Sequence, residues 1–249
     1  MEKEKLFWEE YWQSKIDHYK RYGILFEEYF QWGYYCNQVL YRHYKDILGN
    51  IKDKNILEWG AGSGYVSCLA AREGAVVTCL DYSSKAVQYI EIVSNVLRVR
   101  ENIKIIQGDL NDITTKNTFD VIWNCGVLEH YSDKEIICKL QEMIKLSQKD
   151  AIIICTVPNL RSLEGLYRRF KNLINGEKRS ERIINFRKWK FLFQQAGFKK
   201  VKILPVNYYI PSFIPGRIAH FISQNFPLAR EFKNLAWLFS IIGEVKDYD

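Results

Sequence analysis

The sequence predicts an α/β protein built on a doubly wound, mostly parallel sheet. Three observations predict it. From Lys54 onward, short apolar runs alternate with helix-like patterns, as successive β-α-β units require. Those runs are apolar throughout instead of alternating, as expected of strands covered on both faces. A glycine-rich turn, Gly60-Ala61-Gly62-Ser63-Gly64, joins the first strand to the first helix of the series. At 249 residues the chain can bury one large core and still carry modest additions.

The elements follow in order. Asn55-Ile56-Leu57 opens the first strand, with Glu58 and Trp59 at its end. Ala75–Leu80 is a β-rich run ending in Asp81. Ile103–Gln107, Phe119–Cys125 and Ala151–Pro158 supply the third, fourth and fifth strands. Helical patterns fall near Tyr65–Glu73, Ser84–Arg98, Lys134–Ser147 and Arg187–Ala196. Leu235–Ile242 is the best candidate for a last strand.

The glycine turn carries chemistry as well as geometry. Glycines at a strand-to-helix turn let backbone bend tightly and approach a ligand. A dinucleotide site needs G-x-G-x-x-G, with a pyrophosphate on the helix N-terminus. The spacing here is G-x-G-x-G, and Glu58 stands two residues before the first glycine. A carboxylate there repels a pyrophosphate and suits a ligand with an ammonium group. That spacing disfavours an NAD(P)-dependent oxidoreductase. Asp81, at the end of a second parallel strand, is placed to accept both ribose hydroxyls of a nucleoside.

The string Glu58-Trp59-Gly60-Ala61-Gly62-Ser63-Gly64 resembles the first motif of the class I S-adenosylmethionine-dependent methyltransferases. Phe119-Asp120-Val121-Ile122, continued by Val127-Leu128-Glu129-His130, is similar to the small-molecule branch called type 11. Ala196-Gly197-Phe198 resembles the late helix-to-strand junction of the same family. The resemblance implies a seven-stranded Rossmann-like sheet with an antiparallel last strand. It implies S-adenosyl-L-methionine as methyl donor and S-adenosylhomocysteine as product. The donor-binding residues it implies are Glu58, Gly60, Ala61, Gly62, Gly64, Asp81, Tyr82, Asp109, Leu110, Asn124 and Cys125. Asp109 is then expected at the exocyclic amine of the adenine, with Leu110 against the ring.

Bulk properties narrow the setting. The longest apolar runs are strand-length, short of a membrane span. The start, Met1-Glu2-Lys3-Glu4-Lys5, is charged and leads into no apolar signal region. The six cysteines form no C-x-x-C pair and read as small hydrophobes in a reducing compartment. A cytoplasmic protein without a metal centre is expected.

Residues 51–249 are expected to form the S-adenosylmethionine-binding domain, and three regions add to its nucleoside core, one before it and two as insertions within it. Residues 1–50 are dense in aromatics, among them Trp8, Tyr11, Trp12 and Tyr19, at helical spacing. They are expected to form a helical cap or lid. A basic insertion at about 159–190 follows the fifth strand. Within it, Arg161–Lys190 holds ten basic residues against three acidic ones, a surplus equal to the net charge of +7. Such a segment suits an anionic small substrate, an anionic membrane surface or RNA, the last disfavoured because no RNA-binding module is recognisable. An apolar insertion at about 206–232 places Ile214, Ile218, Phe221 and Ile222 on one helical face. Packing, an acceptor channel or peripheral membrane contact would each use it.

His130, just beyond the fourth strand, is the candidate general base for a protonated acceptor. The expected acceptor is a small molecule with an oxygen or nitrogen nucleophile. The alternative of a different class is a catalytically silent nucleoside-binding protein on the same fold.

Overall fold

Apolar runs buried on both faces can only pair side by side, and here they assemble into one seven-stranded sheet. The computed structural model describes residues 2–29, 31–114, 118–175, 181–206 and 236–245. The strands are β1 (Asn55–Trp59), β2 (Val76–Asp81), β3 (Ile103–Gln107), β4 (Phe119–Cys125), β5 (Ser147–Pro158), β6 (Val201–Val206) and β7 (Leu238–Glu244). Their order across the sheet is β3-β2-β1-β4-β5-β7-β6. β1 to β5 run parallel, and β7 inserts antiparallel between β5 and β6. This is the sheet expected from the sequence, with its antiparallel strand three residues later than expected. The shift has a local cause. Asn159 takes the stretch before the strand, donating from its backbone to Trp237 O at 2.6 Å and from Nδ2 to Ala236 O at 2.9 Å.

Helices cover both faces. They are α1 (Glu2–Tyr22), α2 (Phe26–Tyr29), α3 (Gln31–Leu48), α4 (Tyr65–Arg72), α5 (Ser84–Val96), α6 (Asp133–Leu146), α7 (Leu163–Asn175) and α8 (Phe186–Ala196). α5 begins where Ser83 Oγ accepts Ala86 N at 3.1 Å. It stops short of the expected Arg98 because that residue takes a left-handed φ of 57°. α6 begins at a capping box in which Ser132 and Glu135 satisfy each other's backbone N–H groups. One core layer lies between the sheet and α3, α4 and α5; the other lies under α6 and α8. Cys68, Cys79 and Cys155 are buried in these layers.

The aromatic N-terminal stretch is helical, as its spacing predicts, and is tied to the sheet by buried polar contacts. Tyr89 Oη on α5 donates to Glu27 Oε2 at 2.6 Å and accepts Phe26 N at 3.2 Å. Lys15 lies buried over the Phe26 and Tyr11 rings, and burial pulls its amine down to about 8. On α3, Tyr44 Oη, Thr156 Oγ1, Ser240 Oγ and His43 Nε2 form a chain with steps of 2.9, 2.8 and 3.0 Å. Burial keeps His43 neutral, its value lowered to about 4. Residues 207–232 of the expected apolar insertion lie outside the described residues. Among the described residues, no helix is long and apolar enough to cross a membrane.

Gly243 tests the packing of the inserted strand. A Cβ there would lie 2.3 Å from Cδ1 of the buried Phe198 ring. Gly243→Ala is therefore expected to lower the unfolding free energy by about 1–3 kcal/mol through overpacking. Adding Phe198→Leu should recover part of that loss. Urea denaturation of the three proteins checks both statements.

Candidate functional site

The carboxyl ends of β1, β2 and β4 open into a cavity of about 640 Å³, walled on one side by α1. That volume falls within the roughly 300–1,000 Å³ of small-molecule sites. Of the residues expected at the donor, Glu58, Gly60, Ala61, Gly62, Asp81, Tyr82 and Cys125 line it, and so does His130. Gly64, Asp109, Leu110 and Asn124 are not among its lining residues.

The floor is the glycine turn. Gly60 N and Ala61 N both donate to Leu80 O, at 2.8 and 3.1 Å. Gly62 N donates to Asp81 Oδ2 at 2.9 Å. These bonds stitch the turn to the end of β2. Gly60 and Gly62 have φ of 65° and 55°, a region that side-chain-bearing residues rarely adopt. Neither has room for a side chain. A Cβ on Gly60 would meet Val127 Cγ2 at 2.6 Å, and one on Gly62 would meet Trp12 Cζ2 at 2.7 Å. Gly64 instead opens α4, facing Ile90 and away from the cavity.

Two buried carboxylates give the cavity its electrostatic character. Burial pushes the Glu58 carboxyl up to about 7, and the nearby Asp81 charge adds to the rise. Ser67 and Trp123 lie beside it and oppose the shift, yet Glu58 Oε2 is buried without a hydrogen bond. Asp81 is also raised by burial, offset by the N–H groups of Gly62 and of Ser83, the latter donating to Oδ1 at 2.9 Å. A carboxylate offers about four acceptor positions, so these bonds leave Asp81 capacity for a ligand's hydroxyls. The third acid in this region, Glu129, is buried with Oε2 unpaired and is pushed up to about 8 by burial. It is not among the cavity-lining residues. No group of three His, Cys, Asp or Glu side chains suited to a metal occurs among the described residues.

Asp109 is engaged by the protein itself. Its Oδ1 accepts Trp59 Nε1 at 3.1 Å and Leu110 N at 2.7 Å, and its Oδ2 pairs with Lys139 Nζ. It caps the turn Leu110–Asp112 and pins the Trp59 ring. Leu110 is buried in the core. Asn124 is likewise internal, donating from Nδ2 to Cys155 Sγ at 3.3 Å. The ring that Asp109 holds does line the cavity: Trp59 stacks on Tyr131 with centroids 5.9 Å apart. Sequence reasoning passed over Trp59 and Tyr131. The only signal was that two large aromatics sit inside the motif strings.

α1 closes the other side. Its Trp12 packs on Gly62 and stacks with Tyr89 at 5.8 Å, and its Trp8 meets the His130 ring edge-on at 6.3 Å. Lys5 adds a cation to the lining, and Asn37 and Leu40 come from α3. Glu9 fastens the helix. Its carboxylate accepts Ser84 N at 2.8 Å, Ser84 Oγ at 3.1 Å and Lys85 N at 3.2 Å, at the N-terminus of α5. Burial alone would raise the Glu9 carboxyl, but these bonds and the helix end outweigh it and hold it below its usual range.

Comparison with known proteins agrees with this geometry. Residues 50–197 match the family profile described as a methyltransferase domain. The tRNA U34 carboxymethyltransferase of Ruthia magnifica is 25% identical over 168 residues, 63% of this chain and 49% of that protein. The ubiquinone biosynthesis O-methyltransferase of Pelagibacter ubique is 28% identical over 109 residues, 44% of each protein. The chain thus spans about half the length of these curated relatives or less. A SAM-dependent methyltransferase from Archaeoglobus fulgidus shares the fold, with a TM-score of 0.58 at 17% identity, covering 90% of this chain and 99% of that one. Geranyl diphosphate C-methyltransferase from Streptomyces coelicolor, solved with S-adenosyl-L-homocysteine, gives 0.59 at 14% identity over 84% and 79% of the two chains. With the profile matched over more than half its length and the sheet order, glycine turn and paired carboxylates in place, the chain belongs to the methyltransferase-domain family, the class I S-adenosylmethionine-dependent methyltransferases.

Proposed function

We propose that this chain transfers a methyl group from S-adenosylmethionine to an oxygen or nitrogen of a small molecule. The observation that carries the reading is that one cavity is lined both by Glu58, Asp81 and the glycine turn and by Trp8, His130 and Tyr131. The residues fit the donor. The unpaired Glu58 Oε2 suits an ammonium, and Asp81 suits a pair of ribose hydroxyls. The donor supplies a sulfonium-activated methyl group.

The protein's task is then mainly to position. The acceptor atom must be held about 3 Å from the methyl carbon and in line with the departing sulfur. The ring faces of Trp8 and Tyr131 can hold a flat or apolar acceptor there. Lys5 supports an anionic group on it. His130 Nδ1 or Nε2 would take the proton that an alcohol or ammonium acceptor gives up as the new bond forms. α1, fastened by Glu9, keeps water from the reacting atoms. The buried cysteines support a reducing, cytoplasmic setting.

Three outcomes are expected. Asp81→Ala should weaken donor binding about tenfold or more by calorimetry, since hydrogen bonds to a charged group are worth roughly 1.5–3 kcal/mol. Equal affinity would remove the ribose from Asp81, and the absence of any turnover would favour a silent nucleoside-binding protein.

His130→Ala should lower kcat by about 10²-fold or more while donor affinity stays unchanged. Steady-state rates together with donor titration separate the two effects.

Glu58 provides a pH test. Its value in the folded protein lies above that of the unfolded chain, and the same holds for Glu129. Stability contributed by the protonated forms is therefore present at acid pH and lost as pH rises toward about 7 and about 8. The donor's ammonium needs ionised Glu58, so affinity should rise across the same interval. It should level by about pH 8, where an α-amino group begins to lose its own charge. Calorimetry on Glu58→Gln should show that rise abolished.

A further inference from the structure

α7 presents an apolar face to solvent. Leu166, Phe170, Leu173 and Ile174 are 51, 63, 80 and 67% exposed. Their spacing of four, three and one residues places them on one side of the helix. A contiguous exposed patch of large aliphatic and aromatic groups marks a contact surface. We propose that α7 is an interfacial helix that docks the protein on a bilayer containing anionic phospholipid.

The helix is fixed at its base, so the direction of this face is set by the fold. Gly165 packs against the chain leaving β5, where a Cβ would lie 2.5 Å from Leu160 Cα. Ser162 Oγ donates to Asn159 O at 2.8 Å and accepts Gly165 N at 3.1 Å. Leu166 N donates to Ser162 O at 2.8 Å.

Charge selects the occupant. Arg161, Arg168, Arg169 and Lys171 lie in or just before the helix, with Glu164 as the one acid. A basic helix with an apolar face is the pattern that inserts among acyl chains while its cations meet anionic headgroups. A second copy of this chain would instead bring two segments of like charge together across a symmetric contact. RNA would use the cations but not the aliphatic face. The position also fits. α7 leaves from the carboxyl end of β5, the sheet edge at which the cavity opens, so docking would turn that edge toward the membrane.

The test uses the full chain and does not depend on methyl transfer. Flotation is measured with vesicles of phosphatidylcholine alone and of phosphatidylcholine mixed with phosphatidylglycerol. The wild type should bind the mixed vesicles, less so as salt rises. Phe170→Ser with Leu173→Ser should weaken this by about tenfold or more, since each removes a side chain worth at least a factor of ten when buried. Because both positions are exposed, donor affinity should not change. Replacing Arg168, Arg169 and Lys171 by Gln should abolish the preference for phosphatidylglycerol. No binding by the wild type, or equal binding by the serine variant, would overturn the proposal. So would a dimer that the serine variant converts to monomer in sedimentation. Salt-sensitive binding to bulk tRNA that survives the serine variant, with no vesicle binding, would assign the cations to RNA instead.

Discussion

Three backbone N–H groups, those of Gly60, Ala61 and Gly62, donate to the last two residues of β2, two to Leu80 O and one to the Asp81 carboxylate. The seam brings the first strand-helix turn against the neighbouring strand and leaves the glycine backbone as the cavity floor. Trp12 reaches that floor because Gly62 has no side chain, and Val127 packs on Gly60 for the same reason. Asp81 is thus both a structural acceptor and a residue that lines the cavity. Its burial, costly for a charge, is offset by the N–H groups it holds.

Glu58 is the complementary case. It lies buried at the end of β1 with an oxygen unpaired, and its carboxyl is pushed up accordingly. An unsatisfied buried group carries a free-energy cost that a native fold keeps only where something offsets it. A cationic ligand does so directly. The two carboxylates are therefore unlike: Asp81 accepts backbone N–H groups, and Glu58 keeps one oxygen without a hydrogen bond.

The N-terminal helices complete the cavity through contacts that span the chain. Glu9 caps α5 from α1, Tyr89 on α5 holds Glu27 of α2, and Tyr44 of α3 joins the polar chain between β5 and β7. Each bond satisfies a group that would otherwise be buried or orphaned at a helix end. These helices thus pack into the folded unit, and the rings of Trp8 and Trp12 line the cavity.

Strand and helix identity, the parallel sheet and the glycine turn were legible in the sequence because they are written in local periodicity and spacing. Glu58 and Asp81 were legible too, since strand ends in such a sheet point to one edge. Asp109 shows the limit of that reading. Whether a carboxylate faces a ligand or the protein depends on partners distant in sequence, here Trp59 and Lys139. The same holds for the Trp59–Tyr131 wall, for the union of Glu9 with Ser84, and for the exposed side of α7. Local pattern decides which elements form and which face of each is apolar. Only the assembled structure decides which polar groups are spent on the fold, which remain for a ligand, and which apolar face is left uncovered.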